Sequence, residues 1–254
     1  MNNPIKCYIA EFLGTFTLVL VGTAVATLQG GFLAGYGDTG WLGISLAFGG
    51  TLAVLVLVIG PVSGCHINPA VTIPMAMSGR LPGKLVPGYL ISQITGAIVA
   101  SSVLLVLMRN IPGYVLEVDG LGANGNPRDM AIVTLLAWEV MLTAMFLFTI
   151  FTATRPDAPD FAAPFAIGGF LFVAHLIGAQ LGDSSLNPAR SLGPALIVRG
   201  DALDIVWVFI VAPIVGGMLG WVLYYYLYDN AGGTLVSKSR AASAPEQSEP
   251  KQER

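Results

Sequence analysis

The chain has 254 residues, of which 54% are hydrophobic and only 11% are charged, and its formal net charge is −3. Soluble globular domains carry about 25% charged residues, so this composition excludes an ordinary soluble domain. The weakly negative charge, with no basic stripe along the chain, also argues against a nucleic-acid partner.

Six stretches of the chain contain no Asp, Glu, Lys or Arg. They cover residues 12–37, 39–79, 85–108, 140–154, 161–182 and 205–228. A membrane-spanning helix needs about 20 mostly apolar residues, and five of the six stretches meet that length directly. The fourth does so if Glu139 is buried within its helix and the apolar stretch from Met130 is included. The first is too long for a signal peptide and is followed by further spans, so it predicts the first transmembrane helix.

Basic residues outside the spans predict the orientation. With the N-terminus inside, eight Lys or Arg lie on the cytoplasmic side and three outside, which favours cytoplasmic N- and C-termini in the cell membrane. The eight are Lys6, Arg80, Lys84, Arg155, Lys238, Arg240, Lys251 and Arg254, and the three are Arg109, Arg128 and Arg199.

We expect one transmembrane domain at 1–236. Segment 237–254 is polar, lacks apolar periodicity and predicts a disordered cytoplasmic tail.

The two halves of the chain repeat one another. The letters AFGG at 47–50 precede NPA at 68–70, and AIGG at 166–169 precede NPA at 187–189. In both halves the second Gly lies 18 residues before the Asn. Each half also opens with one glutamate inside an apolar span, Glu11 and Glu139. Three spans per half reverse the direction of entry, which predicts an inverted repeat with repeat one at about 5–108 and repeat two at about 130–230.

The apolar segment after each Asn-Pro-Ala is too short to cross a membrane. About ten residues rise roughly 15 Å, which is half of the hydrocarbon core. Two such half-helices, entering from opposite faces, would meet near the midplane and fill a seventh transmembrane position. The simpler alternative is that two Asn-Pro turns merely begin two buried helices.

Asn68 and Asn187 are predicted to lie at the meeting point. Asn is a strong N-cap, and Pro suits the first helical turn. If each side-chain oxygen caps its own helix, each NH₂ group faces outward into a pore centre. Two helix N-termini also focus positive potential there. This arrangement suits a permeant with an acceptor oxygen and disfavours both cations and a proton-conducting water wire.

The stretches SGCHINPAV at 63–71, LNPARS at 186–191 and AEFLGT at 10–15 resemble the major intrinsic protein (aquaporin) family, over about residues 5–230. The resemblance implies an all-α membrane protein with six transmembrane helices and two re-entrant half-helices, assembled in membrane lipid as a homotetramer with one pore per subunit. It implies that the domain at 1–236 is a passive channel with water as its permeant, that the protein is not an enzyme, and that it needs no cofactor.

The resemblance also implies a selectivity filter of four residues toward the outer mouth. By offset from the motifs these are Phe48, His175, Ser184 and Arg190. A Phe and a His narrow the opening, and the set resembles that of water-selective members. Glycerol-conducting members typically have a small residue in place of the His and an Asp where this chain has Ser191. A facilitator of glycerol or another small neutral solute is the alternative function.

Other polar residues in the spans have predicted roles as well. Glu11 and Glu139 each lie beside their own half-helix and can accept backbone N–H bonds from the loop before it; a proton relay is the alternative. His66 is expected to brace the first of these loops near the inner vestibule. An intramembrane Arg normally marks a functional site, although Arg190 could instead form a structural ion pair with either glutamate.

Cys65 lies three residues before Asn68, as Ser184 lies three residues before Asn187. The internal symmetry therefore predicts the Cys65 thiol on the pore wall in the inner half, where it is a possible mercurial site. The alternative is that it packs as a small inert hydrophobe.

No cluster of His, Cys or carboxylates predicts a metal site. An ion-coupled transporter would also use inverted repeats, but the spans contain no Asp for a coupling ion.

Overall fold

The computed structural model describes residues 3–29, 40–126, 128–159, 161–181 and 184–229. The regular structure of these residues is helical throughout. The helices are α1 (Pro4–Thr27), α2 (Gly40–Ser63), α3 (Pro69–Met77), α4 (Val86–Met108), α5 (Leu116–Asp119), α6 (Ile132–Ala153), α7 (Ala162–Leu181), α8 (Pro188–Val198), α9 (Gly200–Ile205) and α10 (Val208–Tyr224). A 3₁₀ turn, Gly83–Leu85, leads into α4, and a π turn, Tyr225–Asp229, continues α10. The predicted tail at 237–254 lies outside the described residues.

Six of these helices are long. Five segments are long and apolar enough to cross a membrane: Pro4–Thr27, Gly40–Ser63, Gly83–Met108, Ile132–Ala153 and Gly200–Tyr228. The sixth long helix, α7, has 20 residues, so it rises about 30 Å, which matches the hydrocarbon core. Glu139 is buried inside α6, which begins at Ile132. The expectation of an all-α membrane protein is therefore confirmed.

The helices pack as two interlocked halves. In the first half α1 packs against α2 and α4, and in the second half α6 packs against α7 and α10. Between the halves, α2 packs against α7, and each half-helix crosses to the other half, since α3 packs against α10 and α8 packs against α4. The helices α1, α2, α3 and α4 correspond to α6, α7, α8 and α10, in that order. Under this exchange each of these contacts becomes another of them, and the α2–α7 contact becomes itself. This is the arrangement of an inverted repeat.

Glycine allows the central helices to touch backbone to backbone. A Cβ atom added to Gly49 in α2 would lie 2.6 Å from the carbonyl oxygen of Gly168 in α7, and one added to Gly168 would lie 2.6 Å from the carbonyl oxygen of Gly49. A Cβ on Gly96 in α4 would lie 2.6 Å from a carbonyl oxygen of α1. Cβ atoms do not approach other atoms this closely, so a larger residue would push the helices apart.

The half-helices α3 and α8 have 9 and 11 residues. They rise about 14 and 17 Å, so neither can span a membrane alone. Asn68 and Asn187 are their N-caps, with extended backbones (φ −161° and −150°), and a proline follows at each first helical position. Both helices therefore begin inside the bundle, where the two Asn-Pro-Ala loops meet.

Candidate pore and selectivity site

The two Asn-Pro-Ala loops exchange hydrogen bonds at the centre of the bundle. Asn68 Oδ1 accepts from the Ala70 N–H at 2.8 Å, and its Nδ2 donates to the Leu186 carbonyl at 2.7 Å. Asn187 Oδ1 accepts from the Ala189 N–H at 3.0 Å, and its Nδ2 donates to the Ile67 carbonyl at 2.9 Å. Each side chain thus caps its own helix and holds the opposite loop.

This geometry modifies the expectation that both NH₂ groups face wholly into a pore. One N–H of each amide donates to the opposite loop. This bond fixes the two loops relative to one another, which helix capping alone would not do. The second N–H of Asn68 and of Asn187 has no partner among the described residues. Both side chains line the main cavity, so each can offer one donor to a molecule inside it.

Glu11 holds the loop that leads into α3. Its Oε1 accepts from the Ser63 hydroxyl at 2.7 Å and the His66 N–H at 2.9 Å. Its Oε2 accepts from the Ile67 N–H at 2.6 Å and from Gln93 Nε2 at 2.7 Å. The carboxylate is fully buried, and a buried charge is tolerated only when such donors surround it. These four hydrogen bonds tie the loop before α3 to α1 and α4.

Glu139 has the matching position in the second half. It accepts from the Ser185 N–H at 2.8 Å and the Leu186 N–H at 3.0 Å. These two residues correspond by the repeat to His66 and Ile67. Ile67 and Leu186 have left-handed backbones, with φ 43° and 54°, which a β-branched or bulky residue rarely adopts. The carboxylates hold both loops in this costly conformation.

A narrow cavity runs past both loops. It is lined at one end by Phe146, Ile150 and Thr154 near the C-terminal end of α6, and at the other by the filter candidates of α2, α7 and α8. It offers about 60 Å³ to the centres of water molecules. A cavity of this size has room for several water molecules.

Phe48, His175 and Arg190 converge at one end of the cavity. The Phe48 and His175 rings stack with their centroids 4.4 Å apart, and the Arg190 guanidinium carbon lies 4.9 Å from the Phe48 centroid. His175 Nδ1 lies 3.0 Å from the Leu171 carbonyl. A carbonyl only accepts, so Nδ1 carries a proton, and in the neutral ring Nε2 is then an acceptor. Nε2 has no partner among the described residues.

Arg190 is held by a loop that the sequence did not single out. Its Nη1 donates to the Gly122 carbonyl at 2.8 Å and to Asn124 Oδ1 at 2.7 Å. Asn124 Oδ1 also accepts from the Ser191 hydroxyl at 2.6 Å. Asn124 is buried, but it lies in an irregular loop where no periodicity or motif indicates its position.

Ser184 does not join the other three filter candidates in the cavity wall. It is fully buried, and among the described residues the cavity is lined at this point by its neighbour Ser185. The Ser184 side chain lies against Gly178 of α7, where an added Cβ would come within 2.6 Å of its Oγ. The Ser184 carbonyl accepts from Asn124 Nδ2 at 3.3 Å.

Cys65 and His66 both line the cavity. His66 Nδ1 lies 3.3 Å from the Thr72 hydroxyl, so the ring is anchored to α3 as well as to the loop. Cys7 lies elsewhere, at the start of α1, where its thiol donates to the Val62 carbonyl. The described residues contain no group of three His, Cys, Asp or Glu that could hold a metal ion.

Comparisons with known proteins match nearly the whole chain. A family model described as "Major intrinsic protein" matches residues 2–225. A relative named Aquaporin Z, from Bradyrhizobium diazoefficiens, is 41% identical over 241 residues, covering 93% of this chain and 99% of the relative. A second Aquaporin Z, from Rhodopseudomonas palustris, is 40% identical over 232 residues, covering 90% of this chain and 95% of the relative.

Among solved structures, the chain is similar to the aquaglyceroporin from Plasmodium falciparum. The TM-score is 0.78 at 23% sequence identity, and the match covers 89% of this chain and 97% of that chain. At this identity the likeness shows a shared fold and no more.

Proposed function

Because the chain belongs to the major intrinsic protein family, we propose that it is a passive water channel that excludes ions and protons. It is a multi-pass membrane protein and not an enzyme. The observation that carries the proposal is the cavity that passes two capped half-helix N-termini. The two relatives named Aquaporin Z point to the same permeant.

The centre of the pore favours a neutral molecule that both donates and accepts. One N–H of Asn68 and one of Asn187 remain for an acceptor oxygen, and the N-termini of α3 and α8 add positive potential from both sides. A water that accepts from both amides directs its own hydrogens away from the centre. A continuous proton wire through the centre is thereby broken, and a cation meets a positive field.

Phe48, His175, Ser184 and Arg190 form the proposed filter. The Phe48 and His175 rings restrict its width, while Arg190 contributes a fixed positive charge. His175 Nε2 accepts and Arg190 donates, so a water molecule can be bound on both sides. Ser184 lies outside the cavity lining. Its carbonyl would contribute by accepting a hydrogen bond from Asn124, which holds Arg190. No specific observation favours glycerol over water.

The remaining parts of the proposal concern the loops and the assembly. Glu11, Glu139 and His66 brace the loops, and Cys65 is the site at which a mercurial blocks the inner half. The chain would be a homotetramer with one pore per subunit, embedded in lipid, with both termini cytoplasmic. The end of the bundle at which α1 begins is then the inner end.

Osmotic shrinkage of proteoliposomes tests the function. Vesicles with equal amounts of protein are mixed in stopped flow with sucrose to measure water permeability, and with glycerol to measure solute entry. We expect the protein to raise the water rate well above that of empty vesicles while glycerol entry stays at the empty-vesicle rate. Glycerol entry raised in proportion to water would favour the facilitator instead.

A further inference from the structure

A second groove lies at the end of the bundle at which α1 begins, beside the Thr154 end of the pore cavity. It is formed between the C-terminal ends of α3, α6 and α10 and offers about 660 Å³ to water centres. Met77 and Tyr225, which line it, are 55% and 51% exposed. The groove therefore opens outward at the level where membrane-spanning helices end, which is the level of lipid headgroups.

Arg80 is the only charged side chain among the described residues of the groove wall. Its Nη1 donates to the Thr154 hydroxyl at 2.9 Å and the Phe151 carbonyl at 3.3 Å, and its Nη2 donates to the Tyr224 hydroxyl at 2.9 Å. A guanidinium has five N–H groups, so two are left without a partner in the described part of the chain. No described carboxylate forms an ion pair with it.

Aromatic rings hold this charge in place. The Arg80 guanidinium carbon lies 4.7 Å from the Phe151 centroid and 5.0 Å from the Tyr224 centroid. Tyr224 stacks on Tyr228 at 5.3 Å, and the guanidinium of Arg155 lies 4.6 Å from the Tyr228 ring. The side chain has thus lost its rotamer freedom before any ligand arrives, which lowers the entropic cost of binding. Tyr and Trp are also enriched at headgroup level.

We propose that this groove binds the headgroup of an anionic phospholipid, with its phosphate on Arg80. The two remaining N–H groups donate to phosphate oxygens, and such charge-assisted bonds are the strong ones. The acyl chains lie along the exposed apolar residues of α10, which include Val215, Leu219 and Val222. A soluble phosphate has the same oxygens but no chains to lie on this surface. The groove adjoins the pore cavity at Thr154, which lines both.

Lipid binding by the whole protein tests the proposal. The full chain, purified in detergent, is titrated with phosphatidylglycerol or phosphatidylcholine of identical acyl chains, and bound lipid is counted per subunit by native mass spectrometry. We expect phosphatidylglycerol to bind about tenfold more tightly. Both lipids bring the same phosphate oxygens, but the choline cation of phosphatidylcholine has the same sign of charge as Arg80 and is repelled by it. Inorganic phosphate at the same concentration should not displace it.

Arg80→Gln should reduce phosphatidylglycerol binding to the level of phosphatidylcholine. The matched control is Lys84→Gln, which removes an exposed charge from the same end without touching the groove, and it should keep the preference. Equal lipid binding by wild type and Arg80→Gln overturns the proposal, and so does displacement of the lipid by phosphate. An equal loss in Lys84→Gln also overturns it, because diffuse surface charge would then explain the preference.

Arg80 also joins α6 to α10, so the glutamine variant is checked for its helical content and elution volume. If it fails to fold, Arg80→Lys decides the question. Lysine keeps the charge but lacks the paired N–H groups of the guanidinium. A phosphatidylglycerol affinity that falls below the wild-type value supports the proposal, and an unchanged affinity overturns it.

Discussion

Replacing Glu11 by Gln tests whether the loop before α3 depends on a buried acceptor. The carboxylate accepts four hydrogen bonds, whereas a glutamine offers one acceptor oxygen and one NH₂ group. In the better of its two orientations the glutamine oxygen still accepts from the Ile67 N–H and from Gln93 Nε2. The Ser63 hydroxyl then rotates to accept from the new NH₂ group. The His66 N–H then faces a donor and is left unpaired.

The cost follows from that count. One buried unpaired N–H costs about 1–3 kcal/mol, and the two bonds that remain lose about 1 kcal/mol each on changing from charge-assisted to neutral. Burying a neutral amide in place of a carboxylate recovers part of this. A net loss of about 2 kcal/mol or more is expected. The same loop holds Cys65 and Ile67 at φ 52° and 43°, conformations that cost about 1–3 kcal/mol each and need such support.

Thermal unfolding in detergent and stopped-flow shrinkage of proteoliposomes measure the outcome. We expect Glu11→Gln to lower Tm by about 4 °C or more, and to reduce water permeability per folded channel because the loop that presents Asn68 shifts. Glu117→Gln makes the same chemical change at an exposed position of α5 and should alter neither value. Wild-type Tm together with wild-type permeability would refute the bracing role. An unchanged Tm with an altered proton leak would instead support a proton relay.

Three further outcomes follow from the pore wall. His175→Gly combined with Phe48→Ala removes the stacked rings and should admit glycerol, so a folded double variant that stays glycerol-tight would show that the constriction lies elsewhere. Arg190→Val should raise the proton or cation leak of vesicles while substantial water flow remains; an unchanged leak would leave exclusion to the helix termini alone. A membrane-permeant mercurial should block water flow reversibly through Cys65, and Cys65→Ser should abolish the block whereas Cys7→Ser should not. Labelling of Cys65 without loss of flow would contradict its place in the pore.

The spans, the repeat and the capped half-helices could be predicted from the sequence. Each rests on a local pattern, such as an uncharged run of about 20 residues or an N-cap followed by proline. The buried glutamates could be placed as well, because the repeat sets each beside its own half-helix. In these cases the local preferences and the tertiary fold require the same conformation.

The contacts between distant segments could not be predicted. Asn124 reaches Arg190 from an irregular loop 66 residues away, and no periodic pattern marks it. The Nδ2 bonds of Asn68 and Asn187 to the opposite loops span 118 and 120 residues, and only the assembled fold brings their partners together. The direction of the Ser184 side chain is likewise set by its packing against α7. Offsets within a motif fix a residue's position but not the contacts of its side chain.

The exchanged hydrogen bonds of Asn68 and Asn187 also constrain how the protein is made. The first half leaves the ribosome before the second, so for a time the Asn68 amide and the Ile67 carbonyl lie at membrane depth without their partners in Leu186 and Asn187. Unsatisfied backbone groups there cost several kcal/mol each. The first loop therefore stays hydrated and unfinished until the second half has been inserted.

Biogenesis should accordingly show one concerted closing step late in synthesis rather than two independent ones. In chains arrested at increasing lengths, Cys65 should remain open to a water-soluble thiol reagent until about residue 190 has entered the membrane. Protection of Cys65 in a chain that ends near residue 110 would mean that the first half completes its loop alone.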